Sequence, residues 1–379
     1  MIELNVELRN NIFKVFLLSS LINLIKAQYT PVIQTQSGPV VGQYLTTLRH
    51  RYSYASFKGI PYAEPPLGYL RFQPPVEKRP WGNLLYALSE GSACSQVNQM
   101  NFSIIGSEDC LYLNVFTPHV DFSAINSNNL KAVMVWIHGG GFSSGFSNTD
   151  FYGPDYLMEN DVVLVSFNYR LGIFGFLNLN HPHATGNQAL KDQNLVLRWV
   201  RQNIAAFGGN PNLVTIFGQS AGAVSVDLHV LSEMSAGLFS RSISMSGSPL
   251  CEQWGLQSNV EAEQEAYSVA AQLGIYAGNS QELLNVFYTI PAETFLSVTR
   301  SWPFSQFRPT IERTIYGYYD NRFLKHCPLK YYETGRYNKA PHMLGFTSLE
   351  PLLYPKGIYL FYFFYKVTRH EMATNTKFF

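Results

Sequence analysis

Short, almost uninterrupted apolar runs alternate with longer stretches of helical periodicity, and this alternation points to a mainly parallel sheet covered by helices. Residues 132–137 (AVMVWI) and 162–166 (VVLVS) read as strands buried on both faces, because a strand with one wet face carries polar residues at alternate positions. Residues 190–204 show helical spacing, with Leu195, Trp199 and Ile204 on one side and Asp192, Arg198 and Arg201 largely elsewhere. Residues 214–217 (VTIF) form another short strand, entered through a loop at Phe207-Gly208-Gly209-Asn210-Pro211. No linker, repeat or low-complexity block interrupts the chain after residue 28. Such a sheet needs a large core, and 379 residues with 46% hydrophobic and 14% charged content supply one. The formal charge of +1 and the lack of any Lys/Arg cluster argue against nucleic acid as a partner.

Residues 1–27 read as a secretory signal. Arg9 and Lys14 precede the apolar run 15–25 (VFLLSSLINLI), and Ala27 offers a small residue for cleavage before Gln28. The run is shorter than the ~20 residues of a membrane span, so no transmembrane anchor is expected. Glu3, Glu7 and Ile25 depart from the signal pattern, and a buried N-terminal helix is the alternative. Secretion would permit disulfides among the four cysteines. Cys94 and Cys110 are close enough in sequence to close a small loop, whereas Cys251 and Cys327 have no obvious partners beyond each other; three pairings are formally open. Asn101-Phe102-Ser103 is a glycosylation sequon inside the 94–110 loop, which places that loop on the surface if the sequon is used.

Directly after the strand 214–217 comes Gly218-Gln219-Ser220-Ala221-Gly222, and a helix-like stretch at 223–231 follows. A serine between a strand and a helix, flanked by small residues, suits a sharp turn that pushes the hydroxyl into open space. The helix N-terminus behind it presents free N–H groups to a developing oxyanion. Ser220 is the candidate nucleophile. His138-Gly139-Gly140-Gly141-Phe142 ends another strand. Three consecutive glycines there are unfavourable in entropy, but they let backbone N–H groups crowd around a small anion.

These segments resemble the type-B carboxylesterase/cholinesterase family of α/β-hydrolases. The resemblance extends to Phe57-Lys58-Gly59-Ile60-Pro61-Tyr62-Ala63, to Ser107-Glu108-Asp109-Cys110-Leu111-Tyr112-Leu113-Asn114, to Asn168-Tyr169-Arg170, and to Asp192-Gln193. It runs from about residue 30 to Glu350. It implies an α/β-hydrolase fold in one domain over residues 28–350, with a central, mostly parallel sheet flanked by helices. It further implies Ser220 as nucleophile, an oxyanion hole from Gly140, Gly141 and the N–H of Ala221, and a Cys94–Cys110 disulfide. Glu350, in Gly345-Phe346-Thr347-Ser348-Leu349-Glu350, matches the family's triad acid.

The same resemblance raises an expectation of truncation. In the family the catalytic histidine lies roughly a hundred residues beyond the acid, but only 29 residues follow Glu350 here. Their single histidine, His370, sits in an unrelated setting. Residues 351–379, with the aromatic run 357–364 (GIYLFYFF), read as a divergent tail that replaces the C-terminal third of the fold. The expected function is hydrolysis of a small carboxylic ester through an acyl-enzyme, impaired in this form. The competing reading is a catalytically dead, esterase-like adhesion or binding protein. Loop residues 95–109 contain no Trp or Tyr, which disfavours a quaternary ammonium substrate. Trp254 is a candidate for the acyl side of the pocket and equally a core residue. No metal or organic cofactor is expected, since His181-Pro182-His183 lacks metal-ligand context. Nothing in the sequence sets an oligomeric state.

Overall fold

Lys131–Ile137 is the organising strand, because its side chains divide between two cores. Val133, Val135 and Ile137 enter the main core, while Met134 and Trp136 pack with a smaller cluster around Tyr54, Phe116, Met158 and Leu164. A strand buried on both sides belongs in the middle of a sheet, and there it lies. A computed structural model describes residues 28–350 apart from 100, 251–254, 300–304, 316, 318, 319 and 349. The proposed signal at 1–27, Cys251, Trp254, the 351–379 tail and His370 lie outside the described residues.

The central sheet has eight strands: β1 (Gln43–Thr46), β2 (Ser53–Pro61), β3 (Tyr112–Thr117), β4 (Lys131–Ile137), β5 (Val163–Phe167), β6 (Gly209–Gln219), β7 (Arg241–Met245) and β8 (His342–Gly345). Their spatial order is β8-β7-β6-β4-β5-β3-β2-β1. Strands β4 to β8 are mutually parallel, and β3, β2 and β1 complete the sheet as antiparallel neighbours. Helices α1 (Gln188–Asn203), α2 (Ala221–Leu231), α3 (Asn259–Gln272) and α4 (Ser280–Phe287) contribute Leu195, Val224, Val269 and Leu283 to the main core. Among the described residues β8 is an edge, with all four of its residues exposed.

Two expectations need correction. The glycine-rich entry to residues 214–217 is not simply a loop. Gly209 already pairs with Lys131, the register then slips, and the ladder resumes at Val214 opposite Val133, so the breakers form an irregularity inside a longer strand. Helix α1 is also not amphipathic in the ordinary way: Arg198, Arg201 and Gln202 are exposed, but Asp192 is fully buried. The reason is pairing. Arg170 donates to Asp192 from Nε at 2.8 Å and from Nη2 at 2.6 Å, and its Nη1 donates to the carbonyls of Arg71 and Gln73.

A second buried pair, Lys191–Glu312, fixes the irregular segment after residue 305 onto α1. Glu312 also accepts from Asn187 Nδ2 at 2.9 Å and from the N–H groups of Phe323 and Leu324 at 2.7 and 3.1 Å. Glu312→Gln leaves the Lys191 ammonium buried without its counter-charge. We expect a loss of about 3–5 kcal/mol in urea unfolding; a loss below about 1 kcal/mol contradicts the assignment of this pair as an anchor.

His229 is buried on α2, with Nδ1 at 2.7 Å from Ser235 Oγ and Nε2 at 3.1 Å from Gln193 Oε1. Burial pushes its pKa down from 6.5 to about 3. Above the unfolded value neither state binds the proton. As pH falls from 6.5 towards 3 the unfolded chain takes up a proton that the folded chain refuses, so folding weakens by up to ~1.4 kcal/mol per pH unit. The stability gap between wild type and His229→Gln should therefore narrow between pH 6.5 and 4. A gap that stays constant in unfolding curves over that range disproves this.

Candidate active site

The parallel ladders bring four chain segments out at one edge of the sheet. Ile137 pairs with Gly218, Gln219 with Met245, and Met245 with Gly345, so the segments after β4, β6, β7 and β8 all leave at their C-terminal ends. A single residue, Ser220, separates β6 from α2, and it has φ 58° and ψ −123°. A non-glycine residue held there stores about 1–3 kcal/mol of strain. Neighbouring backbone holds it: the Ser220 N–H donates to Met245 O at 2.9 Å and the Val224 N–H to Ser220 O at 3.0 Å.

The glycines around Ser220 are demanded by contact. A Cβ on Gly222 would press into the Ile137 carbonyl, and one on Gly218 would lie 2.6 Å from the Gly222 backbone. A Cβ on Gly247 would strike the Ser220 carbonyl, and one on Gly139 would sit 3.3 Å from Ser220 Cβ. The triple-glycine segment thus runs directly against Ser220. Gly140 and Gly141 have φ of 116° and 61°. Among the described residues no acceptor takes the N–H of Gly140, Gly141 or Ala221, the first residue of α2.

His138 is buried beside this segment, and burial pushes its pKa down to about 4. Glu350 follows β8 at the same edge, and its carboxylate accepts the Thr347 N–H at 2.8 Å. No hydrogen bond or ion pair joins a described histidine to Ser220 or Glu350. His342 does bridge a serine and an aspartate, with Nδ1 at 2.8 Å from Ser242 Oγ and Nε2 at 3.2 Å from Asp227 Oδ1. That set fastens β8 to β7 and α2. It lies three residues back from the Met245–Gly345 end of the ladder, about 10 Å from it, and Ser242 is buried.

The 94–110 loop is closed by a Cys94–Cys110 disulfide and carries Asn101, exposed, with Oδ1 accepting from the Ser103 N–H and hydroxyl at 3.1 and 2.8 Å. Gly145, which lies against Gly139 and His138, and Gln96 of the disulfide loop, which is hydrogen-bonded to Gly145, carried no sequence signal. Cys327 is exposed. Among the described residues no group of three His, Cys, Asp or Glu side chains is arranged to hold a metal, and no helix is long and apolar enough to cross a membrane. A small, partly open hollow lies against Ser143, just past the triple glycine. Val97, Leu171, Ile173, Leu296 and Phe307 line it with small hydroxyl residues and no charged side chain.

Comparison with known proteins bears on the fold that carries the Ser220 turn. The model of the carboxylesterase family matches residues 29–374. The chain belongs to the carboxylesterase family. That match continues past Glu350, where the motif-by-motif resemblance ends. Juvenile hormone esterase of Tribolium castaneum is 39% identical over 335 residues, covering 85% of this chain and 55% of that protein. Esterase E4 of Myzus persicae is 43% identical over 312 residues, covering 80% and 54%. The chain spans about half the length of these carboxylesterases. The crystal structure of juvenile hormone esterase from Manduca sexta, with OTFP covalently attached, superposes with a TM-score of 0.79 at 33% identity, covering 90% of this chain and 64% of that one. The α/β-hydrolase architecture expected from the sequence is the one observed.

Proposed function

We propose that the chain is a serine carboxylic-ester hydrolase in which Ser220 is the nucleophile. The observation that carries this reading is the strained Ser220 backbone beside three N–H groups without acceptors, those of Gly140, Gly141 and Ala221. Ser220 Oγ attacks the ester carbonyl, its proton passes by way of water to the alkoxide oxygen that departs, and the carbonyl oxygen gains negative charge facing those N–H groups. Collapse expels the alcohol and leaves an acyl-serine, which water hydrolyses to the acid. The covalently attached OTFP in the Manduca sexta structure supports covalent chemistry on this fold. Glu350 is proposed as the acid of the triad.

The substrate proposed is a neutral, apolar ester. The described residues around the hollow beside Ser143 include no charged side chain to recognise an ionic group, and Phe307 is the one aromatic among them. A quaternary ammonium would gain little from it. One observation favours a second reading, an esterase-like adhesion or binding protein: no described histidine is placed as a base at Ser220. Secretion is proposed as well, with Asn101 carrying N-linked glycan, supported by the apolar N-terminal run and the Cys94–Cys110 disulfide.

Two measurements check these proposals. Incubation of the full chain with a fluorophosphonate should modify Ser220, located by peptide mass spectrometry, and Ser220→Ala should abolish the modification. A folded chain that stays unmodified supports the binding-protein reading instead. Expression in insect cells should give a protein that loses mass on treatment with peptide-N-glycosidase, and Asn101→Gln should remove that loss; an unchanged mass in the wild type refutes both glycosylation and passage through the secretory route.

A further inference from the structure

We propose that His138 is a positioning residue for the oxyanion hole: its Nδ1–H holds the Gly139 carbonyl and so aims the Gly140 N–H towards the face occupied by Ser220. The inference rests on the reading of Ser220 and Gly140 given above. Its physical basis is the planarity of the peptide bond. In a trans peptide the C=O of one residue and the N–H of the next point in opposite directions, so holding one fixes the other. The Gly139–Gly140 peptide is otherwise easy to turn, because neither flanking residue has a Cβ to resist.

His138 Nδ1 lies 2.8 Å from Gly139 O. A carbonyl oxygen has no proton to give, so the nitrogen carries it and the ring is the Nδ1–H tautomer. The ring itself is held by stacking on Tyr169, with centroids 4.2 Å apart and planes 16° from parallel. Tyr169 also donates its hydroxyl to the His138 carbonyl at 2.7 Å, so ring and backbone are fixed together. The space around the bond is kept for it. Gly145 has φ 108°, and a Cβ there would lie 2.5 Å from both His138 Nδ1 and Gly139 O. Gln96 of the disulfide loop grips Gly145 from both sides, accepting its N–H at 2.8 Å and donating to its carbonyl at 3.0 Å. The next peptide is set without His138: Gly140 O accepts the N–H groups of Ser143 and Ser144 at 3.1 and 3.0 Å and both of their hydroxyls at 3.2 Å, which turns the Gly141 N–H the opposite way. Of the two aiming bonds, the first depends on a ring nitrogen. With its pKa pushed down to about 4, His138 stays neutral around pH 7 and keeps a single proton for this bond.

The test compares two reagents on the full chain, a phosphonofluoridate and its thiono analogue. In each, Ser220 Oγ bonds to phosphorus and fluoride leaves, with the serine proton released to solvent. The first places a P=O in the oxyanion hole and the second a P=S, and sulfur is a weak acceptor. The ratio of the two rates at Ser220 therefore reports N–H donation rather than folding. His138→Phe keeps the stack on Tyr169 and removes the donor, and it should slow the oxygen reagent on the order of 10- to 100-fold while leaving the sulfur reagent nearly unchanged. His138→Asn returns an amide N–H near the Nδ1 position and should restore most of the ratio. Gly145→Ala, which keeps the His138 donor but crowds both its Nδ1 and Gly139 O, should lower the ratio as His138→Phe does. An unchanged ratio in His138→Phe, or an equal slowing of both reagents, overturns the proposal while Ser220 keeps its role. A wild-type chain that neither reagent modifies at Ser220 overturns the nucleophile reading, and the positioning role with it.

Discussion

Backbone-to-backbone contact at the C-terminal end of the sheet is the constraint on which the rest of the site depends. Gly139, Gly218, Gly222 and Gly247 come from three separate segments, and each faces a carbonyl or backbone atom closer than a Cβ permits. Removing side chains at these four points lets α2 start one residue after β6 ends, with Ser220 in a strained conformation between them. The strain persists because both sides of Ser220 are held by hydrogen bonds, one to strand β7, which is paired in the sheet, and one from the first turn of α2.

Around that crossing the fold depends on buried polar pairs as much as on apolar packing. Arg170–Asp192, Lys191–Glu312 and Arg71–Glu108 each join separate segments, and each pair makes further hydrogen bonds through at least one of its members. Such pairs add little net stability over apolar packing, yet breaking one leaves a lone buried charge. Their effect is to specify which loop docks where. Arg71 shows this: it meets Glu108 bidentately at 2.6 Å while its Nη1 donates to the carbonyls of Phe287 and Ile290, which closes the turn after α4 onto the disulfide loop.

The candidate site was legible wherever its chemistry requires glycine or a serine in a fixed local context. Ser220 and the triple-glycine segment could be singled out because a strand, a turn and a helix leave a sequence imprint, while the choice of Gly140, Gly141 and Ala221 and the Cys94–Cys110 closure followed from the family resemblance. The supporting contacts left none. Gln96 gripping Gly145, or Tyr169 stacked beneath His138, are long-range meetings of ordinary residues, and no local pattern marks them. The burial of Asp192 left no imprint for a related reason: helical spacing reports which face a residue occupies, not whether an arginine from another segment waits there to pair with it.

The sequence by itself determined the order of strands and helices, the serine turn and the triple-glycine segment, since these rest on local backbone preferences and on the period of apolar residues. Tertiary structure decided the rest. Sheet register carries His138, Ser220, Ser246 and Glu350 to a common edge from positions spread over more than 200 residues. The same register sets His342 back from that edge, where its hydrogen bonds fasten β8 rather than serve Ser220. Which groups can meet is settled by how strands pair, and strand pairing is a property of the assembled sheet rather than of any one segment.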